Sequence, residues 1–394
     1  MSLSLGRPRL SVVATSRNDN HGGHLLERMQ WFVDGLAWNA DRRHVSVELV
    51  LVEWNPPEDR APLIDTMRWP SGESMLSVRV LTVPHAEHQR LLPEGGIPML
   101  QMIAKNVGIR RAHGDNVLAT NIDILLAPEL FDFTTTKIGD GTVWRADRND
   151  VEFPFPDGVA TVEEALAFCK SHPIRYERRD GIYYPRLGRV LPIYQGVGDF
   201  LAWQVTQLFS SVRHLGGHPS HSAARPLLQL PRHRPKDARS LGSISRFALD
   251  RARALADLMI LPRLNVNACG DFTLLSRHDW WRFRAYPELV VHSMHLDTIF
   301  MHQMHANGLR FVDVEPPAVA YHMEHASGSG WTPEGHQKHY AAVEQRGMPH
   351  IKPAELRAMK RSLLAAHNHE VLYNQPDWGL EKADITDVRA LRAR

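Results

Sequence analysis

The sequence predicts an α/β fold built on a doubly wound, mostly parallel sheet. Three observations carry this. Short apolar, β-branched runs recur at LSVVAT (10–15), VELVLV (47–52), SVRVLTV (77–83) and VLA (117–119). The segments between them place apolar residues at helical spacing, and the runs end in polar or proline-rich turns. At 394 residues, with 43% apolar and 23% charged content, the chain suits one large domain or two moderate ones.

Composition narrows the function classes. A net charge of +2 does not suit a whole-chain polyanion binder. In the basic segment 211–263 the basic residues are not interleaved with aromatics, which argues against nucleic acid as a partner. No apolar run reaches the roughly 18 residues of a membrane span. The N-terminal MSLSLGRPRLSVVATSRND lacks the apolar core and cleavage site of a signal peptide. Two cysteines, Cys169 and Cys269, fit a reducing compartment rather than a disulfide framework, so a cytoplasmic location is expected.

The elements follow in order. After the first strand comes the polar loop SRNDN, then a helix with Leu25, Met29, Phe32, Val33 and Leu36 on one face. The second strand ends in the turn EWNPP. The third is followed by a helix with Met99, Met102, Ile103 and Val107 on one face and Lys105 and Asn106 beside it; it ends near Gly114. The next stretch, VLATNIDILLAPELF (117–131), organises the rest. A buried carboxylate at the end of a central strand packs poorly unless it is paired or binds a metal. Asp123 therefore reads as a ligand for a divalent cation at the open edge of the sheet, or else as a residue capping its own turn.

Loops after the first and second strands face the same crevice, which gathers Thr15, Arg17, Asn18 and Glu53 there. A carboxylate after the second strand suits the hydrogen-bond donors of a nucleoside. No GxGxxG follows the first strand and no GxxxxGK[ST] occurs, so a nicotinamide site and a P-loop are both disfavoured. A nucleotide's diphosphate here would need a metal in place of a glycine cradle.

At ATSRNDNHGG, VEWNPP, AKNVGIRRAHGD and TNID, in that order, the sequence resembles the GT-A glycosyltransferases. The resemblance covers about the first 130 residues and resumes after residue 264. It implies a Rossmann-like GT-A mixed α/β sheet flanked by helices, a nucleotide-sugar donor and a divalent metal at a short acidic motif, Asp-x-Asp or a variant. Asn121 stands where the first Asp of that motif would be. Asp123 is left as the metal carboxylate, and a further ligand must come from elsewhere. Thr15, Arg17, Asn18, Glu53, Lys105 and Asn121 become the expected donor and nucleotide contacts.

Between 150 and 260 the alternation weakens. TVEEALAF (161–168) reads as a short helix with acidic residues in its first turn. Residues 176–200, with several tyrosines and glycines, suit strands or acceptor-binding loops. From 211 to 263 there are ten Lys/Arg against three Asp, with prolines at 219, 226, 231 and 235 among them. This basic insertion reads as a solvated excursion, as a lid over the donor phosphates, or as a surface for a phosphate-bearing lipid carrier or a membrane face. Residues 245–260 suit an amphipathic helix, which keeps peripheral membrane contact in view.

Order returns at NACGDFTLLSR (267–277), where Gly270 and Asp271 precede an apolar strand. The family's glycine-rich turn, its G-(F/Y)-P-E turn and its helix opening in an acid are matched by Ala285-Tyr286-Pro287-Glu288 and Leu296-Asp297, with alanine in place of the turn glycine. By this similarity Gly270, Asp271 and Glu288 would meet the donor sugar or acceptor, and Asp297 the acceptor hydroxyl. Asp297 reads as a general base, as a sugar-binding carboxylate, or as a helix cap. The strand AVAYHMEH (318–325) delivers His322 and His325, which by the family's recurring C-terminal histidine would complete the metal shell. The alternative is a pair of surface histidines at a turn. Imidazole in the shell favours Mn²⁺, with Mg²⁺ second. The pairs His292/His295 and His302/His305 are weak evidence for zinc. Two C-terminal helices and a frayed tail over 378–394 complete the reading.

The expected organisation is a nucleotide-sugar-binding half at 1–150, an insertion, lid or acceptor region at 151–263, the acceptor and metal half of the same domain at 264–330, and a C-terminal helical extension at 331–394. The expected function is transfer of a sugar from a nucleotide-diphosphate donor to the hydroxyl of a glycan, lipid-linked or small-molecule acceptor. A metal-dependent hydrolase using the His/Asp cluster and a non-catalytic GT-A-like binding module are the competing readings.

Overall fold

The computed structural model describes residues 7–94, 96–185, 188–192, 260–325, 336–366 and 369–390. Most of the basic segment 211–263, including the helix expected over 245–260, lies outside them. The described chain is a mixed α/β structure in which two sheets meet at one edge. The larger sheet has eight strands, β1 (Leu10–Ser16), β2 (Val47–Trp54), β3 (Leu76–Val83), β4 (Asn116–Ala119), β6 (Thr142–Ala146), β11 (Thr273–Ser276), β12 (Arg310–Val314) and β14 (Thr386–Ala390), in the order β12-β6-β11-β4-β1-β2-β3-β14. The smaller has six, β5 (Ile124–Leu126), β7 (Arg148–Val151), β8 (Pro173–Arg178), β9 (Gly181–Tyr184), β10 (Gly188–Pro192) and β13 (Ala320–Met323), in the order β10-β9-β8-β7-β13-β5.

In the large sheet β4, β1, β2 and β3 are parallel, while β11 and β14 run against their neighbours. The apolar runs of β1 and β2 are buried on both sides because helices cover both faces. Alternate residues serve separate cores: Leu10, Val12, Ala14, Leu49 and Leu51 pack with helix Leu25–Arg43, whereas Val13, Val50, Val52 and Trp54 pack with helix Gln101–Arg110. That second helix lies close on the sheet at Gly108, where a Cβ would stand 2.5 Å from Val13 Cγ1. Trp280, stacked on Phe300 at 5.0 Å, donates its indole N–H to the Val117 carbonyl and so pins helix Arg277–Arg282 under β4.

The short helix expected at 161–168 spans Val162–Ser171, started by a capping box between Thr161 and Glu164. Strands β8, β9 and β10 occupy 173–192, and β7 runs across the expected boundary between 150 and 151. The two C-terminal helices are His336–Gln345 and Pro353–Ala365. The frayed tail is overturned for 386–390, because β14 pairs antiparallel with Val78–Thr82 of β3. Asp387 forms an ion pair with Arg79 across that pairing, and Arg110 pairs with Glu381 just before it. Backbone pairing, rather than an apolar face, makes this strand.

Candidate functional site

The candidate site lies where β1, β2 and β4 end. β11 is antiparallel to both β4 and β6, so its leading residues Gly270 and Asp271 reach the same edge, as does the end of β6 that feeds β7. Asp123 follows β4 by a short turn. Backbone pairing brings the two C-terminal histidines to it. β13 runs antiparallel to β5 with His322 opposite Ile124, and the Met323 N–H donates to the Asp123 carbonyl at 3.0 Å. Asp123 Oδ2 consequently stands 3.0 Å from His325 Nε2 and 3.7 Å from His322 Nε2.

These three side chains offer ligand atoms within 4.8 Å of one another. Asp123 Oδ1 is buried with no hydrogen-bond partner among the described residues. A buried carboxylate oxygen left without a donor is costly in an ordinary core, so the orphaned oxygen and two imidazole nitrogens fit a divalent cation of the Mn²⁺ type. Two other groups have similar spacing. Asp150, His322 and Glu324 share His322 with the first; Asp140, His278 and Asp279 lie at the far end of β11, with Asp140 and His278 exposed.

The second sheet supports the cluster with a row of charges on one face. Register sets Arg175 opposite Asp150 and Asp150 opposite His322, while Glu177 pairs with Arg148. Side chains two residues apart point the same way, which gathers Arg148, Asp150, Arg175, Glu177, His322 and Glu324 together. Tyr321 and Met323, on the opposite face, join the apolar core. Asp150 Oδ1 lies 3.0 Å from His322 Nδ1. Arg148 reaches Asp150 at 2.8 Å, Asp271 at 2.5 Å and Glu177 at 3.3 Å. Arg175 pairs with Asp150, with Glu177 at 3.1 Å and with Glu324 at 2.7 Å.

Burial alone would lower the His322 pKa, and Arg148 adds to that. The charge of Asp123 and hydrogen bonds to Asp123 and Asp150 outweigh both and push it to about 10. Desolvation would raise the Asp123 carboxyl, but His322 and His325 hold it well below the usual range. Asp150 is likewise depressed against its desolvation, by Arg148, His322 and Arg175. With Nδ1–H donated to Asp150, His322 directs Nε2 at Asp123, the arrangement by which outer carboxylates orient metal-binding histidines.

Lys105 sits at the centre of the remaining acids. It is fully buried and donates from Nζ to the Gly270 carbonyl at 2.7 Å. Desolvation lowers its pKa to about 8, opposed by the charges of Asp271, Asp297, Cys269 and Asp123. Asp271 is fixed by Asn121 Nδ2 on one oxygen and Arg148 on the other, while the Thr120 hydroxyl donates to its carbonyl. Asn121 Oδ1 accepts from Gln101. A Cβ on Gly270 would stand 3.2 Å from Asp297 Oδ2, so that glycine lets the loop lie against the carboxylate. Asp297 is in the first turn of helix Leu296–Ala306, and its Oδ1 accepts from the Thr298 N–H. The N-cap is His295, which makes no side-chain cap, while the Asp297 side chain takes up one N–H of the first turn.

The other expected contacts divide. Thr15, Arg17, Asn18 and Glu53 stand at the same sheet edge, each held locally. The Thr15 hydroxyl donates to Met99 Sδ, Arg17 to the Asn55 carbonyl and Asn18 to the Ala61 carbonyl. Glu53 Oε1 accepts from the Leu63 N–H, and its Oε2 is buried without a partner among the described residues. Glu288 is not brought into this group. Its Oε1 accepts from Asn106 at 3.0 Å and from the Gly379 N–H at 2.7 Å, which uses the carboxylate to tie the C-terminal segment to helix Gln101–Arg110. His302 is buried, and desolvation, helped by the charges of Lys360 and His305, drops its pKa to about 3.

The sequence reading missed Arg28, Arg148, Asp150, Arg175, Glu177 and Glu324. Arg28 had a signal: it interrupts the apolar face of Leu25, Met29 and Phe32. Its guanidinium is 1% exposed and lies 3.7 Å from Asp123 Oδ2. Gly22, at φ +74°, passes directly over it and His325.

No family model matches the sequence, and no curated protein matches it. Among solved structures, the chain is similar to GalNAc-T7, crystallised with UDP, GalNAc and Mn²⁺, with 11% identity and a TM-score of 0.38. That alignment covers 96% of this chain and 57% of the other, so the chain spans little more than half of that protein's length. It is also similar to a mycobacterial protein, with 14% identity and a TM-score of 0.27, covering 98% of this chain and 84% of the other.

Proposed function

We propose that this chain is a GT-A-type glycosyltransferase that moves a sugar from a nucleotide-diphosphate donor to an acceptor hydroxyl, assisted by a divalent cation. The observation that carries the reading is the convergence of Asp123, His322 and His325 at the sheet edge that also bears Asp271, Asp297 and Lys105. Asp123 with one or both histidines would hold the cation, Mn²⁺ by preference. When bound, the cation would neutralise negative charge developing on the departing diphosphate. Thr15, Arg17, Asn18 and Glu53 line the part of the edge assigned to the nucleoside.

The chain's own groups supply the rest. Asp271, held in place between Asn121 and Arg148, is suited to accept hydrogen bonds from sugar hydroxyls. Asp297, only partly covered and beside Gly270, is suited to take the acceptor's proton as its oxygen attacks. The buried Lys105 ammonium places a positive charge close to both carboxylates.

A panel of UDP-, GDP- and TDP-sugars, assayed with Mn²⁺ for hydrolysis and transfer, tests the reading. The expected result is cation-dependent release of one nucleoside diphosphate, lost in Asp123→Ala. In Asp297→Ala turnover is lost while nucleotide affinity remains. Failure to bind any nucleotide, with or without cation, removes the reading. Activity without nucleotide, on metal held tightly through purification, would instead identify a metallohydrolase.

A further inference from the structure

Arg28 is buried differently from the two arginines of the smaller sheet. Arg148 and Arg175 each contact three carboxylates. Among the described residues Arg28 has only Asp123, at 3.7 Å, and that carboxylate is shared with His325 and His322. Its Nη2 donates to the His21 carbonyl at 2.6 Å, while Nε and Nη1 are buried with no hydrogen-bond partner among the described residues. A buried guanidinium with unsatisfied donors and one distant carboxylate is short of negative charge. It cannot shed its proton at ordinary pH, so it stays a cation.

We propose that Arg28 makes the Asp123–His322–His325 site too positive to hold a dication by itself, so that divalent cation and nucleoside diphosphate bind as an interdependent pair. This rests on the assignment of that site to a cation beside a diphosphate. A cation on Asp123 shares its carboxylate with the guanidinium and meets a like charge at short range in a poorly solvated place. The diphosphate brings the negative charge that both cations lack. Each ligand then raises the affinity of the other by one common factor.

The test is Mn²⁺ binding by the full chain, read from loss of the free Mn²⁺ EPR signal, with and without UDP or GDP. It is run for wild type, Arg28→Met, Arg28→Gln and the charge-preserving Arg28→Lys, with folding checked by circular dichroism. The neutral variants should bind Mn²⁺ alone roughly tenfold or more tightly than wild type, and should lose a similar factor of the gain on adding nucleotide. Arg28→Lys should follow wild type. Neutral variants that match wild type for Mn²⁺ alone overturn the proposal. If both neutral variants fail to fold, the wild type still decides: a nucleotide affinity unchanged by Mn²⁺ overturns it. Absence of Mn²⁺ binding in every variant, with either nucleotide present, also fails the cation site itself and marks that failure as the deeper one.

Discussion

His322 cannot bind a cation through Nε2 while that nitrogen carries a proton. Without a cation the imidazole is protonated up to a pKa of about 10, since two carboxylates outweigh the burial and the Arg148 charge that oppose it. At pH 7 the neutral form is then about one part in a thousand, a cost to cation binding on the order of 4 kcal/mol. Each added pH unit removes one decade of that cost, because binding expels one proton. Between pH 7 and 8.5, where a nucleotide's terminal phosphate is already ionised, Mn²⁺ affinity should rise by about thirtyfold. The assay is an EPR titration in the presence of the nucleotide chosen by the donor panel, with His322→Asn as the control that loses the slope. A flat profile in the wild type refutes His322 as a ligand or the ion-paired state described here. The same shift bears on folding. A pKa raised above its unfolded value stabilises the cation-free chain fully below about pH 6.5, and that contribution fades as pH climbs through about 10.

Three other outcomes are expected. Gly22→Ala places a Cβ 2.8 Å from His325 Nδ1 at a φ of +74°, so it should weaken Mn²⁺ by roughly tenfold or more and cost about 1–2 kcal/mol of stability; unchanged EPR affinity would free His325 from any ligand role. Asp150→Asn leaves Arg148 and Arg175 short of charge, and urea denaturation should show a loss of about 3–5 kcal/mol; a loss below about 1 kcal/mol would mean the buried row of charges is not coupled. Truncation after Ile385 removes β14 and bares the β3 edge, so light scattering should detect self-association and melting should fall; a monomer with unchanged melting would make β14 dispensable.

Much of the large sheet was legible because its strands are apolar runs and its helices have apolar faces. Leu10 to Ala14 and Val47 to Val52 announce themselves in any window. Asp123 was legible for the opposite reason, as a charge in a place that ought to be apolar. The same logic applied to helix Leu25–Arg43 would have exposed Arg28, which interrupts the stripe of Leu25, Met29 and Phe32. The smaller sheet was harder. RADRND and PIRYER look like solvated loops one at a time, since each charge is compensated by a strand distant in sequence. Arg175, Asp150 and His322 make sense only side by side. β14 was illegible in another way: TDVRA has no buried face except at Ala390, and the β3 edge alone gives it its form.

The pairing of β5 with β13 has one more consequence. Asp123 and His322 are registered by main-chain bonds, from Met323 to Asp123 and from Ala127 to Val319, rather than by whatever the side chains hold. The chelating geometry is therefore cast when the sheet zips together, and it should outlast stripping with EDTA. An ion arriving at such a mould has little left to organise. On the proposed assignment its retention would be set by the bound diphosphate, by ionic radius and by competition with protons, and one metal could replace another without the protein unfolding between them.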